Sequence, residues 1–272
     1  NGKPCNEIDL DRKMTIINPP QSVSLCMITR DAEDMLHRTL KSVPFVKEII
    51  VADNGSTDST KEIAKKYGAK VIDVPKATDV GFDFVRNESI KEATGDWVLF
   101  VDADERLTHS LEIEIKETLQ NPKHGGYKIN FPHFYMNRFL YHHSDDVLRL
   151  VKREGAQFSG SVHEKLICQG SVGKLKNKML HFTYKGLENY IKKKESYAWF
   201  QAQQLFDKGK KATWFHLFFK PTYRFFRSYI LKGGFRDGVP GMTVAAVNAY
   251  GVFERYVKLR LLWQGLEENK KS

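Results

Sequence analysis

Cysteine is scarce in this chain. Its 272 residues include three, Cys5, Cys26 and Cys168, and none stands in a Cys-X-X-Cys spacing. That excludes a disulfide-stapled scaffold and a cysteine zinc site in their usual forms, and makes a reducing, cytoplasmic setting the simpler expectation. No run of about 18 apolar residues occurs, so no membrane-spanning helix is expected. The first residues, NGKPCNEIDLDRK, are polar and of mixed charge, unlike a secretory signal. Internal repeats and low-complexity tracts are missing as well.

What is present is enough to bury a large core: 41% apolar and 12% aromatic residues, with 28% charged. One large domain, or one domain with an appendage, fits this length. The net charge of +10 is unevenly placed. Residues 1–180 carry 26 cationic and 26 acidic side chains, whereas residues 181–272 carry 17 against 7 and hold 20 of the 33 aromatics. A neutral body therefore precedes a basic, aromatic tail. Such a tail suits an anionic membrane surface or a nucleic acid, or is a pair of packed helices with solvated lysines. The membrane surface is the expectation, with no nucleic-acid partner.

Residues 1–21 end in Pro19-Pro20 and are expected to be an arm. Short apolar runs predict strands at VSLCMIT (23–29), EIIVAD (48–53), KVIDV (70–74) and WVLFV (97–101). Helical spacing separates them at 31–41, from Ser59 to Gly68, and at about 81–93. Ser59 and Glu62 have capping-box spacing. Four alternations of strand and helix predict an open α/β sheet, and the uninterrupted WVLFV suits a strand covered on both faces. A helix is expected from Ser110 to about Gln120, irregular strands from Gly126 to about Ile167, and helices from Leu187 onward. Pro221, Gly233-Gly234 and Gly238 to Gly241 are expected to divide that last region into about three. The organisation expected is an arm at 1–21, a catalytic domain at 22–184 and a basic helical region at 185–272.

Ligands of open α/β sheets bind at the carboxyl ends of the strands. Three of the expected ends are polar: Thr29-Arg30-Asp31, Asp53 in ADNGSTD, and Asp102-Ala103-Asp104-Glu105. Carboxylates separated by one residue at the end of a buried strand can share Mg²⁺ or Mn²⁺, especially when a diphosphate supplies further oxygens; an acidic helix start would look the same. Arg86 falls inside the inward stripe Phe82, Val85, Ser89, Ile90 and Ala93, so it needs an anionic partner, either a carboxylate such as Asp53 or a nucleotide phosphate. Val162-His163-Glu164 and His181 lie in the irregular region. Glu164 is a candidate general base, and His181 a candidate metal contact or a packed core histidine.

Several stretches together resemble family 2 glycosyltransferases of the GT-A fold: SVSLCMITRDAED, EIIVADNGSTDST, DFVRNESIKEATGDWVLFVDADERL, SGSVHEKL and KMLHFTY. The resemblance spans roughly residues 22–262. It is nearest to bacterial lipopolysaccharide-core glucosyltransferases, which the tail FFKPTYRFFRSYILKGGFRDGVPGM also resembles. It implies a GT-A α/β fold (a Rossmann-like mixed sheet flanked by helices) with a C-terminal helical extension. It also implies an inverting transfer of glucose from UDP-glucose to a lipid-linked glycan such as a core heptose, at the inner face of the cytoplasmic membrane. By this resemblance Thr29 and Arg30 line the nucleotide pocket, Asp53 meets the base, and Arg86 lies by the base or diphosphate. Asp102 and Asp104 form the DxD element that holds ribose, metal and diphosphate, with Mg²⁺ or Mn²⁺ as cofactor. Glu164 is the implied base and His181 an implied metal contact. One departure stands at Thr29-Arg30-Asp31-Ala32-Glu33, where the family usually has Thr-Arg-Asn-Glu-Glu; Asp31 adds a charge beside the nucleotide.

Two other functions share parts of this pattern. A sugar-phosphate nucleotidyltransferase also needs a nucleotide, Mg²⁺ and carboxylates, but usually carries a Gly-rich basic loop where this chain has TRDAED. A non-catalytic adaptor for anionic membranes or RNA would explain the tail and leave the strand-end carboxylates without a purpose.

Overall fold

The computed structural model describes residues 21–160, 164–182 and 186–266. The arm, apart from Gln21, and His163 lie outside these residues.

The four apolar runs form strands β1 (Val23–Thr29), β2 (Glu48–Asp53), β3 (Lys70–Asp73) and β4 (Trp97–Phe100). They pair in parallel in the order β3-β2-β1-β4. Helices α1 (Glu33–Lys41), α2 (Thr60–Lys66), α3 (Ala77–Val80) and α4 (Phe82–Lys91) make the connections. After the short β5 (Glu105–Leu107) and α5 (His109–Thr118), the long hairpin β6 (Gly126–Tyr135) and β7 (Arg138–Lys152) brings β7 antiparallel against β4. β10 (Val172–His181) then lies parallel to β6 and carries β5 on its free side. The sheet is eight-stranded and mixed, in the order β3-β2-β1-β4-β7-β6-β10-β5. β8 (Gln157–Ser159) and β9 (Lys165–Ile167) form a separate antiparallel pair.

Both faces of the central strands are covered, as their unbroken apolar runs require. On one face Leu25, Met27 and Leu99 pack with Leu36 and Leu40 of α1 and with Leu111 and Ile115 of α5. On the other, Cys26, Val98 and Phe100 meet Ala93 and Phe158. The remaining helices are α6 (Leu187–Asp207), α7 (Trp214–Phe226) and α8 (Gly238–Gln264). They share a core of Ala202, Leu217, Tyr256, Leu259 and Leu262. They meet the outer end of the β6–β7 hairpin through Tyr135, Leu140, Tyr190, Val244 and Val247. No helix among the described residues is long and apolar enough to cross a membrane.

Several local expectations are corrected. Phe82 is 46% exposed and not part of the inward stripe, because α4 begins there and its first turn overhangs a hollow. The capping box at Ser59 and Glu62 does not form. Asp58 takes that role, its Oδ1 accepting from the Thr60 N–H at 3.0 Å, while the Ser59 N–H donates to Glu33 at 3.0 Å. Pro221 does not divide the tail: α7 runs through it and ends in one π-helical turn, Arg227–Leu231. Leu217 and the Lys220–Tyr256 hydrogen bond (2.7 Å) seat the residues on its amino-terminal side against α8. Gly238 and Gly241 lie within α8. A β-carbon at Gly241 would come 2.1 Å from the Gly234 carbonyl, so the glycine there permits a close approach between α8 and the 3₁₀ turn Gly234–Asp237.

The amino ends of β1, β2 and β4 are clamped by Ser24, whose hydroxyl donates to Glu48 at 2.5 Å and accepts from the Gly95 N–H at 2.8 Å. A β-carbon on Gly95 would lie 2.7 Å from that hydroxyl and 2.8 Å from the Ser24 nitrogen. Gly95→Ala is therefore expected to cost about 1–3 kcal/mol of stability, read by urea denaturation. An unchanged midpoint would contradict this packing.

Candidate active site

The carboxyl ends of β1, β2 and β4 surround a hollow of about 470 Å³, within the range of small-molecule sites. Thr29, Arg30, Asn54, Arg86, Asp102 and Asp104 are among its lining residues. Thr29 is buried, and its hydroxyl has no hydrogen-bond partner among the described residues. Arg30 is exposed, and its ion pair among the described residues is with Asp31, at 3.7 Å.

Asp31, the departure from the usual Asn, has φ 47°, a left-handed conformation that Asn and Asp tolerate best after glycine. Its carboxylate accepts from the Thr57 N–H at 2.8 Å and the Thr57 hydroxyl at 3.2 Å, and its own N–H donates to Ser56. The added charge is thus tied to the loop after β2.

Asp53 is fully buried and is not among the lining residues. Its Oδ2 accepts from the Gly55 and Ser56 N–H groups at 3.1 and 2.9 Å and lies 3.5 Å from Lys61. It shapes the turn that presents Asn54 to the hollow, while its Oδ1 has no partner among the described residues. Asp53 is therefore not the partner of Arg86.

The partners of Arg86 are Asp102 (Nη1 to Oδ1, 3.2 Å) and Glu164 (Nε to Oε1, 3.4 Å). The sequence placed Arg86 inward but chose the wrong carboxylate among its candidates. A second guanidinium was missed altogether. Arg149 of β7 donates to Asp102 Oδ2 at 2.9 Å and to Glu105 Oε1 at 2.5 Å. The antiparallel pairing of β7 with β4 brings it there from a stretch that reads as plain strand alternation. The signal available was a deficit: Asp102, Asp104 and Glu105 share four positions, more acidic charge than Arg86 alone can balance, and the adjacent Arg106 lies over the Phe182 ring instead.

Burial alone would raise the pKa of Asp102, but Arg149 and Arg86 outweigh it and hold the carboxyl well below its ordinary value. Glu105 goes the other way. Burial pushes it up to about 7, against the pull of Arg149 and with the push of Asp102. Its Oε2 also accepts from the Asp102 N–H at 2.8 Å, fixing the backbone of the DAD segment.

Asp104 keeps about a third of its side chain exposed and faces His181, with Nε2 3.2 Å from Oδ2. The register of β10 sets this contact, for His181 stands opposite Glu105 on one side and beside His133 on the other. Burial disfavours the charged imidazole, yet the Asp104 contact and the nearby carboxylates raise its pKa overall. Among the described residues no group of three or more His, Cys, Asp or Glu side chains is arranged around a metal position.

A mixed open sheet with a polar hollow at its strand ends is the architecture of a nucleotide-binding α/β enzyme. The glycosyl transferase family 2 model matches residues 24–180, more than half of the chain, and the chain belongs to that family. It is 28% identical over 264 residues to an uncharacterized glycosyltransferase of Rickettsia conorii, covering 88% of this chain and 90% of the relative. It is 26% identical over 258 residues to LpsC of Rhizobium meliloti, a lipopolysaccharide core biosynthesis glycosyltransferase, covering 89% and 93%. Among solved structures, Staphylococcus aureus TarS 1–349 in complex with UDP-GlcNAc superposes with a TM-score of 0.50 at 16% identity, covering 90% of this chain and 92% of TarS. The fold is the GT-A type expected from the sequence, and the protein is a glycosyltransferase.

Removing Arg149 strands two carboxylates, whereas neutralising Glu105 leaves the Arg149–Asp102 pair intact. Arg149→Met is expected to cost about 3–5 kcal/mol at pH 8, and Glu105→Gln no more than about 1.5 kcal/mol. Urea denaturation of both variants checks this. Equal losses would contradict the central role of the guanidinium.

Proposed function

We propose that the protein is an inverting glycosyltransferase that moves a hexose, glucose from UDP-glucose, onto a lipid-linked glycan such as a lipopolysaccharide-core heptose. The observation that carries this is the convergence of Thr29, Arg86, Asp102 and Asp104 on one hollow at the ends of β1 and β4. The similarity to LpsC supports the acceptor class. In this scheme Thr29, Arg30 and the Asn54 turn that Asp53 shapes line the nucleotide site. Arg86 faces the diphosphate, and Asp102 positions Arg86.

Whether the residues fit a divalent cation is decided by their free oxygens and nitrogens. Both oxygens of Asp102 are taken by guanidinium groups, so it is a poor ligand as it stands. Asp104 lines the hollow and His181 lies beside it, its Nε2 3.2 Å from Asp104 Oδ2, so a cation held there would displace any proton carried on that nitrogen. Two protein donors, with diphosphate oxygens and water, make an acceptable Mg²⁺ or Mn²⁺ site. Asp104 and His181 would hold the cation, which would neutralise charge on the departing diphosphate.

Glu164 accepts the proton of the acceptor hydroxyl. That oxygen forms its bond to the anomeric carbon as the bond from that carbon to the diphosphate breaks on the opposite face, releasing UDP. Arg86 fixes Glu164 and Asp102 relative to each other, so base and nucleotide site share one anchor. Incubation with labelled UDP-sugars and Mn²⁺ tests the whole assignment. UDP release from UDP-glucose is expected, and neither binding nor turnover of any UDP-sugar would overturn it.

The acceptor is lipid-linked, so the enzyme works at a membrane surface, and α7 supplies the contact. Trp214, Phe215, Phe218, Phe219 and Phe226 are each at least half exposed. Trp214–Phe218 and Phe215–Phe219 are stacked along the helix with centroids 5.5 and 4.7 Å apart. Exposed rings beside a cationic region fit the headgroup boundary of an anionic leaflet, where each nearby Lys or Arg adds about 1 kcal/mol.

Two predictions follow from these assignments. Glu164→Gln should lower turnover about 10²-fold or more with donor affinity unchanged, and Asp104→Ala should abolish the response to Mn²⁺. Near wild-type rates at saturating Mn²⁺ in either variant would remove that residue from the scheme. The protein should also sediment with phosphatidylglycerol vesicles, release in high salt and bind phosphatidylcholine weakly. Trp214→Ser with Phe218→Ser should weaken vesicle binding about tenfold or more. Equal, negligible binding to both vesicle types at low salt would contradict the surface role.

A further inference from the structure

The cations of α7 do not interleave with its rings. Lys220 turns inward to Tyr256, and Arg224 and Arg227 leave the aromatic face for a second hollow of about 140 Å³, between the β6–β7 hairpin and α6–α8. Lys194 of α6 and Lys232, after the π-helical turn, reach the same place. Among the described residues none of these four has a carboxylate within ion-pair distance. The acidic group lining the hollow is Asp145, which lies 3.2 Å from His133. Ser144 and Asn248 add neutral hydrogen-bonding groups. Four like charges around one cavity repel one another and concentrate counter-ions. Burial, and after it the nearness of Arg224 and Lys193, pushes the Lys194 ammonium down to about 8.

The trough does not end there. An adjoining hollow of about 570 Å³ shares Lys194, Arg224 and Asn248 and adds Arg255, whose Nε is buried with no hydrogen-bond partner among the described residues. On another side the 140 Å³ hollow is lined by His133, whose ring lies 5.3 Å from that of His181, which touches Asp104.

We propose that this cationic hollow is an oxyanion subsite that seats a phosphate group on the acceptor side of the reaction. The inference rests on the glycosyltransferase scheme above for its purpose and on the unpaired cations for its chemistry. Guanidinium and ammonium groups facing one cavity suit a phosphate, which accepts several charge-assisted hydrogen bonds at once. The phosphate comes either from the acceptor glycan or from a lipid headgroup beneath it.

Calorimetric titration of inorganic phosphate into the full chain, saturated with UDP and at constant ionic strength, tests this. Saturable binding is expected, weakened about tenfold or more by Lys194→Gln with Arg227→Gln. Lys65→Gln with Lys66→Gln, the same charge change on the exposed side of α2, should leave it unchanged. No saturable binding, or equal loss in both double variants, overturns the subsite. Should the Lys194 variant fail to fold, Arg227→Gln alone, at an exposed position, gives the same readout. UDP that does not bind the wild-type chain strikes the catalytic scheme instead, and phosphate titrated without UDP still decides the subsite. Displacement of phosphatidylglycerol vesicles by phosphate assigns the headgroup as its occupant; phosphate binding that leaves vesicles attached assigns the acceptor glycan.

Discussion

Arg149 is the hinge of the electrostatics. It stands on β7, the strand that turns a parallel sheet into a mixed one, and it reaches across to the end of β4. One buried guanidinium there holds Asp102 at 2.9 Å and Glu105 at 2.5 Å, with its carbon centre 5.1 Å from the Phe131 ring. Three acidic residues in four positions would otherwise repel one another in a low-dielectric interior. With Asp102 and Glu105 bound to Arg149, Asp104 is the carboxylate of the three that has no guanidinium partner among the described residues and faces His181. The same pairing leaves Asp102 Oδ1 to Arg86, which carries Glu164 on its other nitrogen. The mutual placement of Arg86, Asp102 and Glu164 therefore depends on an ion pair between β7 and the end of its neighbour β4.

The second constraint is the division of charge along the chain. The neutral half builds the nucleotide site, where fixed dipoles and paired charges define geometry. The cationic half is helical; it pairs Lys258 with Glu254 and Glu195, but among the described residues leaves Lys194, Arg224, Arg227 and Lys232 without a carboxylate. Its aromatic residues and its cations occupy different faces of α7. The cations of α7 border the trough beside His133, while its exposed rings are not among the residues that line it.

Much of the sheet was legible because its central strands are apolar at nearly every position. VSLCMIT and EIIVAD became strands with the expected limits, and WVLFV lost only Val101. β10 was not foreseen. Its sequence, VGKLKNKMLH, interleaves three lysines with apolar residues, and its pairing with β6 is broken by an irregularity between Lys174 and Lys178. Such a strand is specified by its neighbours rather than by its own pattern. For the site, local patterns pointed to Thr29, Asp102 and Asp104 at strand ends and to Arg86 on the inward stripe of α4, and all four line one hollow. Arg149 and the His133–His181 contact depend on pairings between distant strands, which no short motif encodes. Pro221 was misjudged for the opposite reason: a strong local rule yielded to packing of α7 on α8.

Hydrogen–deuterium exchange of the intact protein with and without UDP and Mn²⁺ tests the central claim most directly, because it asks where the nucleotide lies without presuming a sugar or an acceptor. Backbone amides at residues 29–35, 54–57 and 102–105 should become protected together, while those of α7 stay as they were. Protection confined to the helical region, or none at the ends of β1 and β4 when UDP is bound, would contradict the account.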